Sequence, residues 1–172
     1  MFKDSIVVIT GGSDGIGKAL TEAFLKKGAK VATCGRNQQK LDNLVNENAG
    51  LPLFTMIADV SKEEDCKNFI NSAIEKFGGV DILINNAGIS MRALFKDTDL
   101  ATLKNVMDIN FWGTVYCTKY ALNSIIERKG TIVGVSSIAG YRGLPEEAAT
   151  APANMQLTDG WKPYGLNCWK RV

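Results

Sequence analysis

A glycine-rich turn near the start of the chain, between an apolar run and a segment of helical spacing, constrains the fold most. Residues 6–9 are β-branched and apolar, which is typical of a strand buried on both faces of a parallel sheet. Four glycines follow: Gly11, Gly12, Gly15 and Gly17. Without Cβ atoms the backbone can turn sharply, and a diphosphate can approach main-chain N–H groups. Apolar residues then recur at positions 16, 20, 23 and 24, which predicts a helix whose positive end faces the turn.

The glycine spacing, Gly-x-x-x-Gly-x-Gly, differs from the Gly-x-Gly-x-x-Gly of most dinucleotide-binding domains. With Thr10 in front of it, the turn resembles the cofactor loop of the short-chain dehydrogenase/reductase family. That resemblance implies a loop in which the cofactor contacts Gly11, Ser13, Gly15, Ile16 and Gly17. A glycine turn without a ligand is the alternative, so the later motifs decide between the two interpretations.

The composition excludes several classes of function. The 172 residues suffice for one domain, and 20 basic against 18 acidic residues, without a basic block, argue against nucleic acid or an anionic membrane surface as a partner. No run approaches the roughly 20 apolar residues that span a bilayer, and the N-terminus lacks an apolar signal core, so we expect a cytoplasmic protein. The four cysteines form no C-x-x-C pair and histidine is absent, so no metal site is expected.

Arg36 directly follows residues 30–35, which predict a second strand and complete a β-α-β unit. In dinucleotide folds a carboxylate at this position bonds the adenosine 2′-hydroxyl, whereas an arginine suits a 2′-phosphate. The strand end has no acidic residue, so NADP is favoured over NAD. A solvated arginine is the alternative, and Asp14 in the neighbouring loop weakens the case by like-charge repulsion.

The next segment predicts a helix, a strand and another helix. Residues 38–48 carry apolar residues at helical spacing, and residues 54–58 predict the third strand. The sequence Ser61-x-x-Glu64 predicts a capping box that opens the third helix.

Two further strand ends carry residues that match the family. Asp59, followed by Val60, resembles the family's adenine-contacting aspartate, although an ordinary strand-end residue fits equally well. A fourth predicted strand, within residues 80–88, ends in Asn85, Asn86, Ala87 and Gly88. Two amides can bond neighbouring backbone, and two small residues let a cofactor lie close to the sheet. The family resemblance rests mainly on this motif following the glycine turn.

The resemblance also implies two catalytic-site residues. Residues 100–128 predict a long helix that contains Asn110, a poor helix former whose family counterpart helps to hold a water for the active-site lysine. Local satisfaction of its amide is the alternative. Residues 131–135 predict a fifth strand, and Ser137 follows it at the edge where parallel sheets bind ligands. In the family this serine bonds the substrate oxygen, whereas a turn serine is the alternative.

The family's Tyr-x-x-x-Lys pair does not occur in the 172 residues, and Thr150 and Asn154 stand at its expected spacing. From residue 146 the strand and amphipathic helix patterns end. We therefore expect a dinucleotide-binding domain over residues 1–145 and an irregular tail, unrelated to the family, over residues 146–172.

The predicted fold is α/β, a Rossmann-like doubly wound parallel sheet of strand order 3-2-1-4-5, truncated after the fifth strand. The resemblance implies an oxidoreductase that uses NADP, or less readily NAD, on a small carbonyl or secondary alcohol. A catalytically inactive fragment that binds a nucleotide or a partner is the alternative, and exposed strand edges suggest self-association. The expected cofactor residues are Gly11, Ser13, Gly15, Ile16, Gly17, Arg36, Asp59, Val60, Asn86, Ala87 and Gly88.

Overall fold

Within residues 2–137, five parallel strands form one sheet, with helices packed on its two faces. The computed structural model describes residues 2–137 and Gly140. The elements are β1 (Ile6–Thr10), α1 (Gly15–Lys26), β2 (Lys30–Gly35), α2 (Gln38–Glu47), β3 (Leu53–Ile57), α3 (Glu63–Phe77), β4 (Ile82–Asn85), a 3₁₀ turn (Phe95–Asp97), α4 (Leu100–Met107), a π-helical turn (Asp108–Trp112), α5 (Gly113–Glu127) and β5 (Thr131–Gly134). The strand order is β3-β2-β1-β4-β5, which confirms the predicted fold and topology.

The central strand β1 separates two cores. Val8 packs on the face that carries Phe69 of α3 and Cys117 of α5, while Val7 and Ile9 pack on the other face. All five β1 residues are buried. In the sheet, β2 and β3 lie on one side of β1, and β4 and β5 lie on the other side. The strand order therefore switches between β1 and β4, and open parallel sheets bind ligands beyond the carboxyl ends of the strands at such a switch point.

The predicted capping box at the start of α3 is wrong. The helix begins at Glu63, and its N-cap residue, Lys62, makes no side-chain capping bond. Ser61 instead donates from its N–H (3.1 Å) and its hydroxyl (2.8 Å) to Oδ1 of Asp59, a side-chain turn that occupies it. Asp65 in the first turn accepts the Asp59 N–H at 2.9 Å, so the acidic start of the helix is anchored from inside.

The predicted long helix is present but interrupted. Between α4 and α5 the backbone widens into the π-helical turn, where the Gly113 N–H donates to the Asp108 carbonyl five residues earlier. Gly113 also lies close to Val60, because a Cβ at position 113 would be 3.0 Å from the Val60 carbonyl oxygen. The turn thus lets the helix approach the loop that follows β3.

No helix within the described residues is long and apolar enough to cross a membrane. Thr150, Asn154 and the predicted tail over residues 146–172 lie outside the described residues, so the domain boundary stays a prediction.

Candidate cofactor site

Hydrogen bonds of Thr33 hold the glycine turn against the neighbouring strand β2. The Thr33 hydroxyl donates to the Ile9 carbonyl at 2.7 Å and accepts the Gly12 N–H at 2.9 Å. The Gly11 N–H donates to the Cys34 carbonyl at 2.9 Å. Because Thr33 is fully buried, this hydroxyl uses both of its capacities in protein contacts and fixes the turn over β2.

A second clamp joins the end of β1 to the segment after β4. The Thr10 hydroxyl accepts the N–H groups of Asn86 and Ala87, each at 3.0 Å. The Asn86 side-chain amide donates back to the carbonyls of Thr10 (3.0 Å) and Gly11 (3.3 Å). The two strand ends that carry the predicted motifs are therefore held together by four hydrogen bonds.

Two glycines in the turn have distinct tasks. A Cβ at Gly17 would lie 2.2 Å from the Gly11 carbonyl oxygen and 2.4 Å from Nδ2 of Asn86, so only glycine lets α1 start so close to the turn. Gly15 has φ +49°, and a Cβ there would meet no atom within 4 Å. Gly15 therefore supplies a left-handed conformation and leaves open space in front of the helix N-terminus.

A cavity of about 680 Å³ opens at the carboxyl edge of the sheet, a volume within the range of small-molecule sites. All eleven residues predicted to contact the cofactor line it: Gly11, Ser13, Gly15, Ile16, Gly17, Arg36, Asp59, Val60, Asn86, Ala87 and Gly88. The structure thus brings together residues that are up to 77 positions apart in the sequence.

Comparison with known proteins identifies the family. The model of the family described as short chain dehydrogenase matches residues 5–152. The chain belongs to this family. It is 40% identical over 144 residues to 11-beta-hydroxysteroid dehydrogenase A of Arachis hypogaea, an alignment that covers 81% of this chain and 41% of that protein. The chain spans about half the length of such curated relatives: 41% of the Arachis hypogaea protein, 57% of 11-beta-hydroxysteroid dehydrogenase-like 4A of Arabidopsis thaliana and 40% of 11-beta-hydroxysteroid dehydrogenase of Pinus massoniana.

Solved structures share the fold. A short chain dehydrogenase/reductase from Burkholderia phymatum, in complex with NAD, has a TM-score of 0.90 at 22% identity, over 95% of this chain and 59% of that chain. An alcohol dehydrogenase from Thermococcus sibiricus, complexed with 5-hydroxy-NADP, has a TM-score of 0.90 at 24% identity, over 94% and 70%. At these identities the likeness shows the fold.

Charged groups gather at one end of this short-chain dehydrogenase cavity. Arg36 and Lys40 line it together with Asp14, and Oδ2 of Asp14 lies 2.5 Å from Nζ of Lys40. The hydrogen bond from Lys40 holds the pKa of the Asp14 carboxyl below its ordinary value, with a further contribution from the Gly15 N–H. Sequence reasoning missed Lys40, because a lysine on the polar side of α2 looks like an ordinary solvated residue.

The opposite part of the lining is apolar. Ile89, Ile109 and Val135 line the cavity beside Ala87, and sequence reasoning missed them because isolated apolar residues indicate core packing. Cys34 also reaches the lining, but burial raises the pKa of its thiol to about 12. The thiol is therefore neutral at ordinary pH and contributes packing rather than proton transfer.

The two predicted catalytic residues lie outside this lining. Asn110, in the π-helical turn, accepts the Ile89 N–H at 2.8 Å and donates to the Ile89 carbonyl at 2.9 Å. Its side chain thus makes the local contacts that were the alternative interpretation, and the role in holding water stays a prediction. Ser137 is exposed beyond β5, and its carbonyl accepts the Gly140 N–H at 2.9 Å.

Proposed function

We propose that this chain binds a nicotinamide dinucleotide in the cavity, NADP in preference to NAD, and that the reaction of its protein is the reversible interconversion of a carbonyl and a secondary alcohol. The observation that carries the proposal is the convergence of all eleven motif residues on one cavity at the switch point of the sheet. When bound, the dinucleotide supplies or accepts the hydride.

The residues present fit such a cofactor. In the first turn of α1, the N–H groups of Ile16 and Gly17 have no carbonyl partner within the helix, and they would hold the diphosphate beside the open space at Gly15. Asp59 would receive the adenine amino group on the oxygen that Ser61 does not occupy. The apolar wall that includes Ile109 would exclude water from the nicotinamide.

Arg36 supports the preference for NADP. It is exposed on the cavity lining, and among the described residues its guanidinium forms no ion pair or side-chain hydrogen bond. A guanidinium presents paired N–H donors that match phosphate geometry, whereas a ribose hydroxyl gains little from it.

Titration of the purified 172-residue chain with NADP and NAD tests the cofactor. We expect tighter binding of NADP by the native chain and a loss of that difference in Arg36→Ala. Lys26→Ala, on the far end of α1 and outside the lining, is the control and should leave both affinities unchanged. Equal affinities of the native chain for the two dinucleotides would contradict the preference, and absence of binding would contradict the site.

A catalytically inactive nucleotide-binding chain is the second candidate, and it is favoured by the absence of Tyr-x-x-x-Lys from the 172 residues. If this second candidate holds, the 172-residue chain gives no NADPH-dependent reduction above background, because general acid–base catalysis contributes about 10² to 10⁴-fold. The relatives named for 11-beta-hydroxysteroids make a ketosteroid the first carbonyl to assay. Turnover that disappears in Ser137→Ala would instead establish an active enzyme.

A further inference from the structure

The charged end of the cavity carries a second cationic side chain besides Arg36. Arg36 and Lys40 both line it, and Lys40 is paired with Asp14. The backbone positions of both residues are fixed by helix-capping hydrogen bonds. Asp14 is the N-cap of α1 and accepts the Gly15 N–H at 2.9 Å, and the Lys40 N–H is itself capped by the Asn37 side chain at 3.0 Å.

The ion pair is well suited to exchange. The side chain of Lys40 is 50% exposed and that of Asp14 70% exposed, and exposed pairs contribute little to stability. A phosphate monoester carries close to two negative charges at neutral pH and three acceptor oxygens, so it competes effectively for an ammonium that one carboxylate holds. The other lysine near Asp14, Lys18, is already bound to Glu47 at 2.5 Å.

We propose that Lys40 is a specificity-determining residue: when NADP binds, its ammonium group leaves Asp14 and makes a second cationic contact with the 2′-phosphate, beside Arg36. Asp14 then acts against NADP in two ways, by holding Lys40 away and by repelling the phosphate. The strength of the preference is therefore set by the Asp14–Lys40 pair as well as by Arg36. This inference rests on the proposed dinucleotide site.

Dissociation constants for NADP and NAD, measured by titration calorimetry on the full chain, test the inference. Lys40→Gln should weaken NADP about tenfold and leave NAD within about twofold, since one charge-assisted contact is lost. Asp14→Asn should strengthen NADP about threefold more than NAD, because asparagine caps a helix as well as aspartate but carries no charge, and the diphosphate beside the cap is common to both dinucleotides. The matched control is Lys67→Gln, which removes an exposed pair with Glu64 outside the cavity.

Adenosine 2′,5′-bisphosphate and adenosine 5′-monophosphate isolate the contact, because only the first carries the 2′-phosphate. The Lys40→Gln loss should recur with the bisphosphate and be absent with the monophosphate. If Lys40→Gln changes NADP and NAD affinities by the same factor, or changes neither, the inference is overturned while the dinucleotide site stands. If the native chain binds neither dinucleotide, the site and the inference both fail.

Discussion

Thr10 shows how one hydroxyl can organise a site. It is 2% exposed and accepts two N–H groups, those of Asn86 and Ala87, which follow the neighbouring strand β4. A hydroxyl oxygen has two lone pairs, and here both are used. The glycine turn and the Asn-Asn-Ala-Gly segment, read from the sequence as separate motifs, are thereby one rigid unit.

We predict that Thr10→Val lowers the free energy of unfolding by about 2 to 4 kcal/mol, because two N–H groups with little access to water lose their acceptor. Thr10→Ser keeps the hydroxyl and should cost about 1 kcal/mol for the lost methyl group. Urea denaturation of the two variants and the native chain measures the difference. Equal losses in the two variants would show that the hydroxyl contributes nothing beyond packing.

The residue scale also shows where sequence reasoning fails. Ser61-x-x-Glu64 has the pattern of a capping box, but a local pattern does not show that Asp59, two residues earlier, already holds the serine. Lys40 lies in the first turn of a polar helix, and its place in the cavity follows from the way α2 packs on β2 and β3. The presence of the glycines and amides in the cavity lining was predictable, because their chemistry is unusual for strand ends.

Among the elements, the widened turn between α4 and α5 carries the wall of the cavity. Asn110 lies in it and bonds both main-chain groups of Ile89, a residue of the apolar lining. One inserted residue in a helix leaves the apolar spacing on either side almost intact, so the sequence predicted one long helix and no interruption. π-Helical turns often accompany functional sites, which fits this position.

We predict that Asn110→Ala loosens this wall. Loss of two hydrogen bonds should lower the free energy of unfolding by about 1 to 3 kcal/mol and speed hydrogen exchange of the Ile89 amide. Asn105→Ala, on the exposed side of α4, is the matched control and should change neither quantity. Unchanged protection of Ile89 in Asn110→Ala would contradict the assignment of this side chain as its support.

At the scale of the molecule, the strand order and the position of the cavity were predictable because a parallel sheet leaves few alternatives: crossovers are right-handed, and open parallel sheets have their crevice at the carboxyl ends of the strands. Self-association was predicted from exposed strand edges and stays a prediction. At the amino-terminal ends of the strands, opposite the cavity, the structure has a set of polar contacts that the sequence did not reveal. Asp81 accepts the Ile6 N–H at 2.7 Å and pairs with Arg128 at 2.7 Å, which joins β1, β4 and the end of α5.

These contacts of Asp81 make the free energy of unfolding depend on pH in the acidic range. Burial acts to raise the pKa of the Asp81 carboxyl, but the hydrogen bonds from Arg128 and from the Ile6 N–H outweigh it and hold the pKa below the ordinary 3.8. A carboxyl whose pKa is lower in the folded state contributes stability that is complete above the unfolded value and is lost as the pH falls through the folded one. We therefore predict that Asp81→Asn lowers the urea midpoint at pH 7, and that its difference from the native chain shrinks as the pH falls below about 4. Glu75→Gln, an exposed site on α3, should follow the native chain at every pH. A difference between native and Asp81→Asn that stays constant from pH 7 to pH 2 would show that the carboxylate charge does not stabilise this edge of the sheet.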